Sequence, residues 1–72
     1  MDDNQERRHL AQADRHIAKA KGCVARQRLI IDRLAATGQR TDDALSTLAA
    51  FERTLQAFER HRATILSFLR SD

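Results

Sequence analysis

The connection that decides the fold is the segment Thr37-Gly38-Gln39-Arg40-Thr41-Asp42-Asp43, in which a helix stop is followed at once by a helix start. Gly38 suits the left-handed conformation that ends many helices, and Thr41 suits the N-cap of the next helix. Asp42 and Asp43 would then lie in a first helical turn, where the helix dipole favours negative charge. A stop and a start this close together predict a tight turn between two helices that run antiparallel.

On both sides of this connection, apolar or small residues recur at alternating spacings of three and four, the pattern of a coiled-coil seam. In the first half the seam positions are Leu10, Ala13, Ile17, Ala20, Val24, Gln27, Ile31 and Leu34. In the second half they are Ala44, Leu48, Phe51, Leu55, Phe58, Arg62, Ile65 and Leu69. The sequence therefore predicts one all-α domain over residues 1–72, a helical hairpin with helix 1 at about 4–36, a turn at 37–41 and helix 2 at about 42–70.

The composition agrees with an all-α fold and excludes several other classes of protein. The 72 residues include no Pro, Trp or Tyr, two Gly and a single Cys, so no intrachain disulfide can form. No apolar run approaches the roughly 20 residues that cross a bilayer, and the acidic start lacks the features of a signal peptide. We therefore expect a cytoplasmic protein with no membrane association.

Folding the chain back at residue 39 gives the seam two different flanks. On one flank the facing pairs carry opposite charges: Lys21 with Glu59, Arg28 with Glu52, and Asp14 with Arg62. The other flank has no Lys, Arg, Asp or Glu at its facing positions, and we call these eight residues the charge-free flank: His9, Phe68, His16, His61, Cys23, Thr54, Ile30 and Thr47. Because a lone hairpin would leave this flank in water, we expect it to be the interface of a homodimer in which two hairpins form a four-helix bundle.

Basic residues line the face of helix 1 directly opposite its seam. This basic ridge consists of Arg8, Arg15, Lys19, Arg26 and Arg33, spaced by 7, 4, 7 and 7 residues. It would extend roughly 37 Å along the helix and could follow the phosphate backbone of a nucleic acid. The alternative is a solvated face or a site for an acidic protein partner, which the lack of aromatic residues and of a recognition-helix motif favours.

Histidines are the only candidates for metal binding or proton transfer. His9, His16 and His61 lie on the charge-free flank, where neutral imidazoles could bind zinc, although packing at an interface is the commoner role for such residues. Cys23 between them is best interpreted as a small buried residue, since a two-helix hairpin leaves no room for an activating base and a concave site. We expect neither an enzyme nor a bound cofactor.

Three runs of sequence carry a resemblance to other proteins. Residues 9–17 (HLAQADRHI), 25–30 (ARQRLI) and 48–52 (LAAFE), together with His61-Arg62, resemble a group of short helical-hairpin proteins that are common in alphaproteobacteria and have no established activity. The resemblance covers nearly the whole chain. It implies a bacterial helical hairpin and supplies no functional residues, so the first hypothesis is a small structural or protein-interaction module with an unidentified protein partner.

Overall fold

A computed structural model describes residues 3–70 and contains two α-helices joined by a tight turn. Helix α1 extends over Asp3–Ala36 and helix α2 over Asp42–Arg70, so the expected bounds differ from the observed ones by one residue, at the start of α1. The helices pack against each other in a rod of about 56 × 14 × 13 Å, and the part of the chain described contains no strand. This confirms the all-α hairpin. Neither helix is long and apolar enough to span a bilayer.

The end of α1 depends on Gly38, whose φ of 72° lies in the left-handed region. The Gln39 N–H donates to the Leu34 carbonyl at 2.9 Å, and the Gly38 N–H donates to the Ala35 carbonyl at 3.1 Å. These two bonds form a Schellman motif, which satisfies carbonyls that the helix end would otherwise leave without partners. The Thr37 hydroxyl donates to the Arg33 carbonyl at 3.1 Å and closes the last turn.

Helix α2 starts at the position that the sequence predicts. Thr41 immediately precedes the helix, and its carbonyl accepts the first helical hydrogen bond, from the Leu45 N–H at 2.8 Å. Asp42 and Asp43 lie in the first turn, where they complement the positive end of the helix dipole. Local sequence therefore fixes both ends of the connection, and the two seams are brought face to face.

The hydrophobic core between the helices is thin. The buried apolar residues are Ala13, Ala20, Val24 and Ile65, and no described side chain is completely enclosed. The larger seam residues of α2, such as Phe51 and Phe58, are half-buried. Two helices enclose only the side chains that lie along their line of contact, so much apolar surface beside that line stays in contact with solvent.

Three polar side chains occupy the seam. Gln27 is buried and donates from Nε2 to the Ala44 carbonyl at 3.0 Å, which links the two helices. Arg62 donates from Nε to Asp14 Oδ1 at 2.5 Å, as the sequence predicts. Glu6 is only 5% exposed, and its Oε1 has no hydrogen-bond partner. We did not expect this burial, although Glu6 lies four residues before Leu10 and thus continues the seam spacing toward the N-terminus.

Candidate interaction surfaces

An apolar groove of about 360 Å³ follows the charge-free flank between the two helices. Its lining residues are His16, Lys19, Ala20, Cys23, Phe51, Thr54 and Phe58. The ring of His16 lies over that of Phe58, with centroids 5.1 Å apart and the planes tilted by 33°. The groove therefore joins three residues of the charge-free flank, His16, Cys23 and Thr54, to the seam residues Phe51 and Phe58.

Lys19 borders both surfaces. The sequence places it on the basic ridge, and the structure also places it in the lining of the apolar groove. The residue is exposed, and its aliphatic stem can cover the groove wall while its ammonium group stays in water. The charge-free flank thus has one basic residue at its rim.

The three histidines share a second groove, of about 260 Å³, which adjoins the first at His16. His9, His16 and His61 line it together with Gln12 and Ala13. Within residues 3–70, however, no group of three or more His, Cys, Asp or Glu side chains is close enough to hold a metal ion. One hairpin alone therefore brings the imidazoles near one another without forming a coordination site.

The hydroxyl groups of the flank already have hydrogen-bond partners within α2. Thr47 donates to the Asp43 carbonyl and Thr54 to the Ala50 carbonyl, each at 3.1 Å. Because these donors are satisfied one turn back along their own helix, the threonines can be covered without leaving an unpaired polar group. Ile30, which is 40% exposed, lies in the lining of neither groove.

The opposite flank is closed by charge pairs in the expected register. Arg28 Nη2 lies 3.7 Å from Glu52 Oε2, and Arg62 pairs with Asp14. Lys21 and Glu59 line the same shallow groove, although the described residues show no ion pair between them. Two of the three expected pairs are therefore confirmed, and the order of contacts along the chain establishes that the helices are antiparallel.

All five residues of the basic ridge are exposed, and none forms an ion pair within the part of the chain that the structure describes. No ridge residue has Asp or Glu three or four positions away in either direction, where a helix would place a neutralising partner. In contrast, Arg28, Arg40 and Arg62 each lie within 4 Å of a carboxylate oxygen. The positive charge of the ridge is thus not neutralised by its own helix.

No protein family, curated protein or solved structure matches the chain. The resemblance to short helical-hairpin proteins of alphaproteobacteria therefore stays a prediction.

Proposed function

We propose that the hairpin is a small protein-interaction module that works as a homodimer, in which two copies join their charge-free flanks to form a four-helix bundle. The observation that carries this proposal is the apolar groove on that flank, which exposes Phe51, Phe58 and Cys23 between two helices. An apolar groove flanked by satisfied polar groups is suited to a partner helix. Three properties of the chain support a second copy as that partner.

The chain exposes more surface than a compact monomer of its mass. The chain exposes 5599 Å² at a mass of 8.2 kDa, whereas a compact monomer of this mass would expose about 4,500 Å². The excess of roughly 1,100 Å² exists because a two-helix rod has almost no interior. A stable interface of ordinary size buries about 800 Å² on each partner, so covering one flank accounts for most of the excess.

The thin core of the hairpin also favours association. A two-helix hairpin in which only Ala13, Ala20, Val24 and Ile65 are buried apolar residues gains little from the hydrophobic effect. Domains of this length usually need a disulfide, a metal or oligomerisation to be stable. The single cysteine excludes an intrachain disulfide, and residues 3–70 bring together no three side chains that could hold a metal, which supports association as the source of the missing burial.

The charge-free flank is also suited to pairing with a copy of itself. In a two-fold dimer both copies use the same surface, so any charge buried there is buried twice and needs a partner each time. The eight residues of the charge-free flank carry no such charge, and Lys19 can extend from the rim into water. The threonine hydroxyls are bonded within α2, and neutral imidazoles can donate and accept across the interface.

Light scattering on a pair of arginine variants tests the proposal. The unmodified chain should have a mass twice its 8.2 kDa at micromolar concentration. Thr54→Arg places a charge in the apolar groove and should give a monomer. Ala49→Arg, on an exposed position of α2 that lines neither groove of the flank, should remain a dimer.

Circular dichroism at the same concentrations controls for the helical content of both variants. A monomeric unmodified chain at high micromolar concentration would refute the proposal. So would a dimer that tolerates Thr54→Arg but dissociates on Ala49→Arg, because the interface would then lie on another face.

A further inference from the structure

The four arginines of the basic ridge have no role in the proposed dimer, because they lie outside the linings of both grooves on the charge-free flank, and only Lys19 lies at the rim of the proposed interface. The helix that carries the ridge also holds the excess positive charge of the hairpin. Helix α1 has eight Lys and Arg against four Asp and Glu, whereas α2 has four of each. We propose that the ridge binds the phosphate backbone of double-stranded nucleic acid, without regard to base sequence.

The cations of the basic ridge are available to bind an anionic partner. An ordinary solvated helix face carries acidic and basic residues three or four positions apart, and these partly neutralise one another. The ridge has no such partner at any of its five positions, and none of the five is paired with α2 in the described residues. Five uncompensated cations on one face create a positive potential that attracts a polyanion.

The outer face of α1 next to these cations carries small residues. Ala11, Ala18, Gly22 and Ala25 lie on the outer face of α1 and are exposed, and a side chain added at Gly22 would meet nothing within 4 Å. Small residues at these positions let a phosphate backbone approach the helix closely. The arginines extend along one edge of this row of small residues, and each guanidinium can donate two parallel hydrogen bonds to one phosphate.

The length of the ridge matches one helical turn of a DNA duplex. From Arg8 to Arg33 the ridge spans roughly 37 Å, close to the approximately 34–36 Å of one turn of B-form DNA. The ridge contains no aromatic residue. Because single-strand binding uses aromatic side chains on which bases stack, this lack counts against a single strand. It does not count against the backbone of a duplex, which is bound through cations alone when base sequence is not read.

The salt dependence gives a numerical expectation. If all five cations contact phosphates, the logarithm of the binding constant should fall against the logarithm of salt concentration with a slope of about −4.5. Between about 50 and 200 mM NaCl the affinity should then decrease about 500-fold. The measurement is fluorescence anisotropy with a labelled DNA duplex of arbitrary sequence, about two helical turns long.

A charge-matched pair of variants locates the binding surface. Arg15→Glu with Arg26→Glu removes two of the five contacts, which should weaken binding about 200-fold at 50 mM salt and reduce the slope to about −2.7. Arg53→Glu with Arg60→Glu changes the net charge by the same amount at exposed positions of α2. This control should change the affinity less than about tenfold, because salt screens charges on a distant face. Light scattering and circular dichroism establish that both variants keep the mass and the helical content of the unmodified chain.

Three results would overturn the proposal. The duplex could fail to bind at about 50 mM salt, where phosphate contacts are strongest. Both double variants could lose affinity equally, which would mean attraction to the net charge of +3 and not to the ridge. Poly-aspartate could compete as well as unlabelled duplex at equal charge concentration, which would assign the ridge to acidic protein segments.

Discussion

The two glycines of the chain occupy opposite backbone conformations, and replacing each with alanine should change stability in opposite directions. Gly22 lies in the middle of α1 with helical dihedral angles, and Gly38 has a φ of 72° at the end of that helix. At both positions an added Cβ would meet no atom within 4 Å. Steric clashes are therefore absent from both comparisons, and only the backbone preference remains.

The expected magnitudes follow from that preference. Gly22→Ala should raise the free energy of unfolding by about 0.8–1.0 kcal/mol, because alanine loses less backbone entropy in a helix interior. Gly38→Ala should lower it by about 1–2 kcal/mol, because the Cβ of an L-residue crowds the following carbonyl in the left-handed region. The two variants should thus differ by about 2–3 kcal/mol although they introduce the same methyl group.

Urea unfolding followed by far-ultraviolet circular dichroism measures both changes. All samples need the same protomer concentration, since the stability of a dimer depends on it. The urea concentration at the midpoint of unfolding should shift, while the slope of the unfolding free energy against urea concentration stays constant, as expected for a change in stability alone. If Gly22→Ala lowered stability, the outer face of α1 would have to be covered by another helix, and the basic ridge would not be free to bind a duplex. If Gly38→Ala had no effect, the explanation of the turn by its left-handed glycine would be wrong.

Two further experiments test the polar groups of the seam. A double-mutant cycle on Asp14→Ala and Arg62→Ala should give a coupling of only about 0.2–1 kcal/mol, reduced by high salt, because both side chains are more than a third exposed; a coupling that is independent of salt would contradict this. Glu6→Leu should raise the free energy of unfolding by about 1 kcal/mol, since it removes a buried carboxylate oxygen that has no hydrogen-bond partner, although His9 Nδ1 lies 3.4 Å from it. Asp3→Leu, which removes an exposed acid from the same end of α1, should not stabilise the protein, and an equal gain from both would refute the explanation.

The secondary structure and the connection could be predicted from the sequence because they depend on local chemistry. The left-handed Gly38 and the start of α2 after Thr41 follow from residues within one helical turn of each position. The register was also predictable, since a tight turn fixes which positions face each other. The pairs Arg28–Glu52 and Asp14–Arg62 lie where that register places them.

The sequence did not predict how burial is distributed over the surfaces. A seven-residue repeat identifies the positions that face the other helix, but it does not state how far each side chain is covered. The structure buries Glu6, places Lys19 in the apolar groove and lays the ring of His16 on Phe58. Each of these depends on side-chain length and direction across two helices, which no local pattern encodes.

The sequence by itself thus determined two helices, their turn and their pairing, because backbone preference and the spacing of apolar residues act over short distances along the chain. Only the tertiary structure decided which seam side chains are covered: it buries Ile65, Gln27 and Glu6 but leaves Phe51 and Phe58 only partly buried in a groove. The physical reason is geometric, because two packed helices bury only the side chains that lie along their line of contact, and side chains beside that line stay in contact with water.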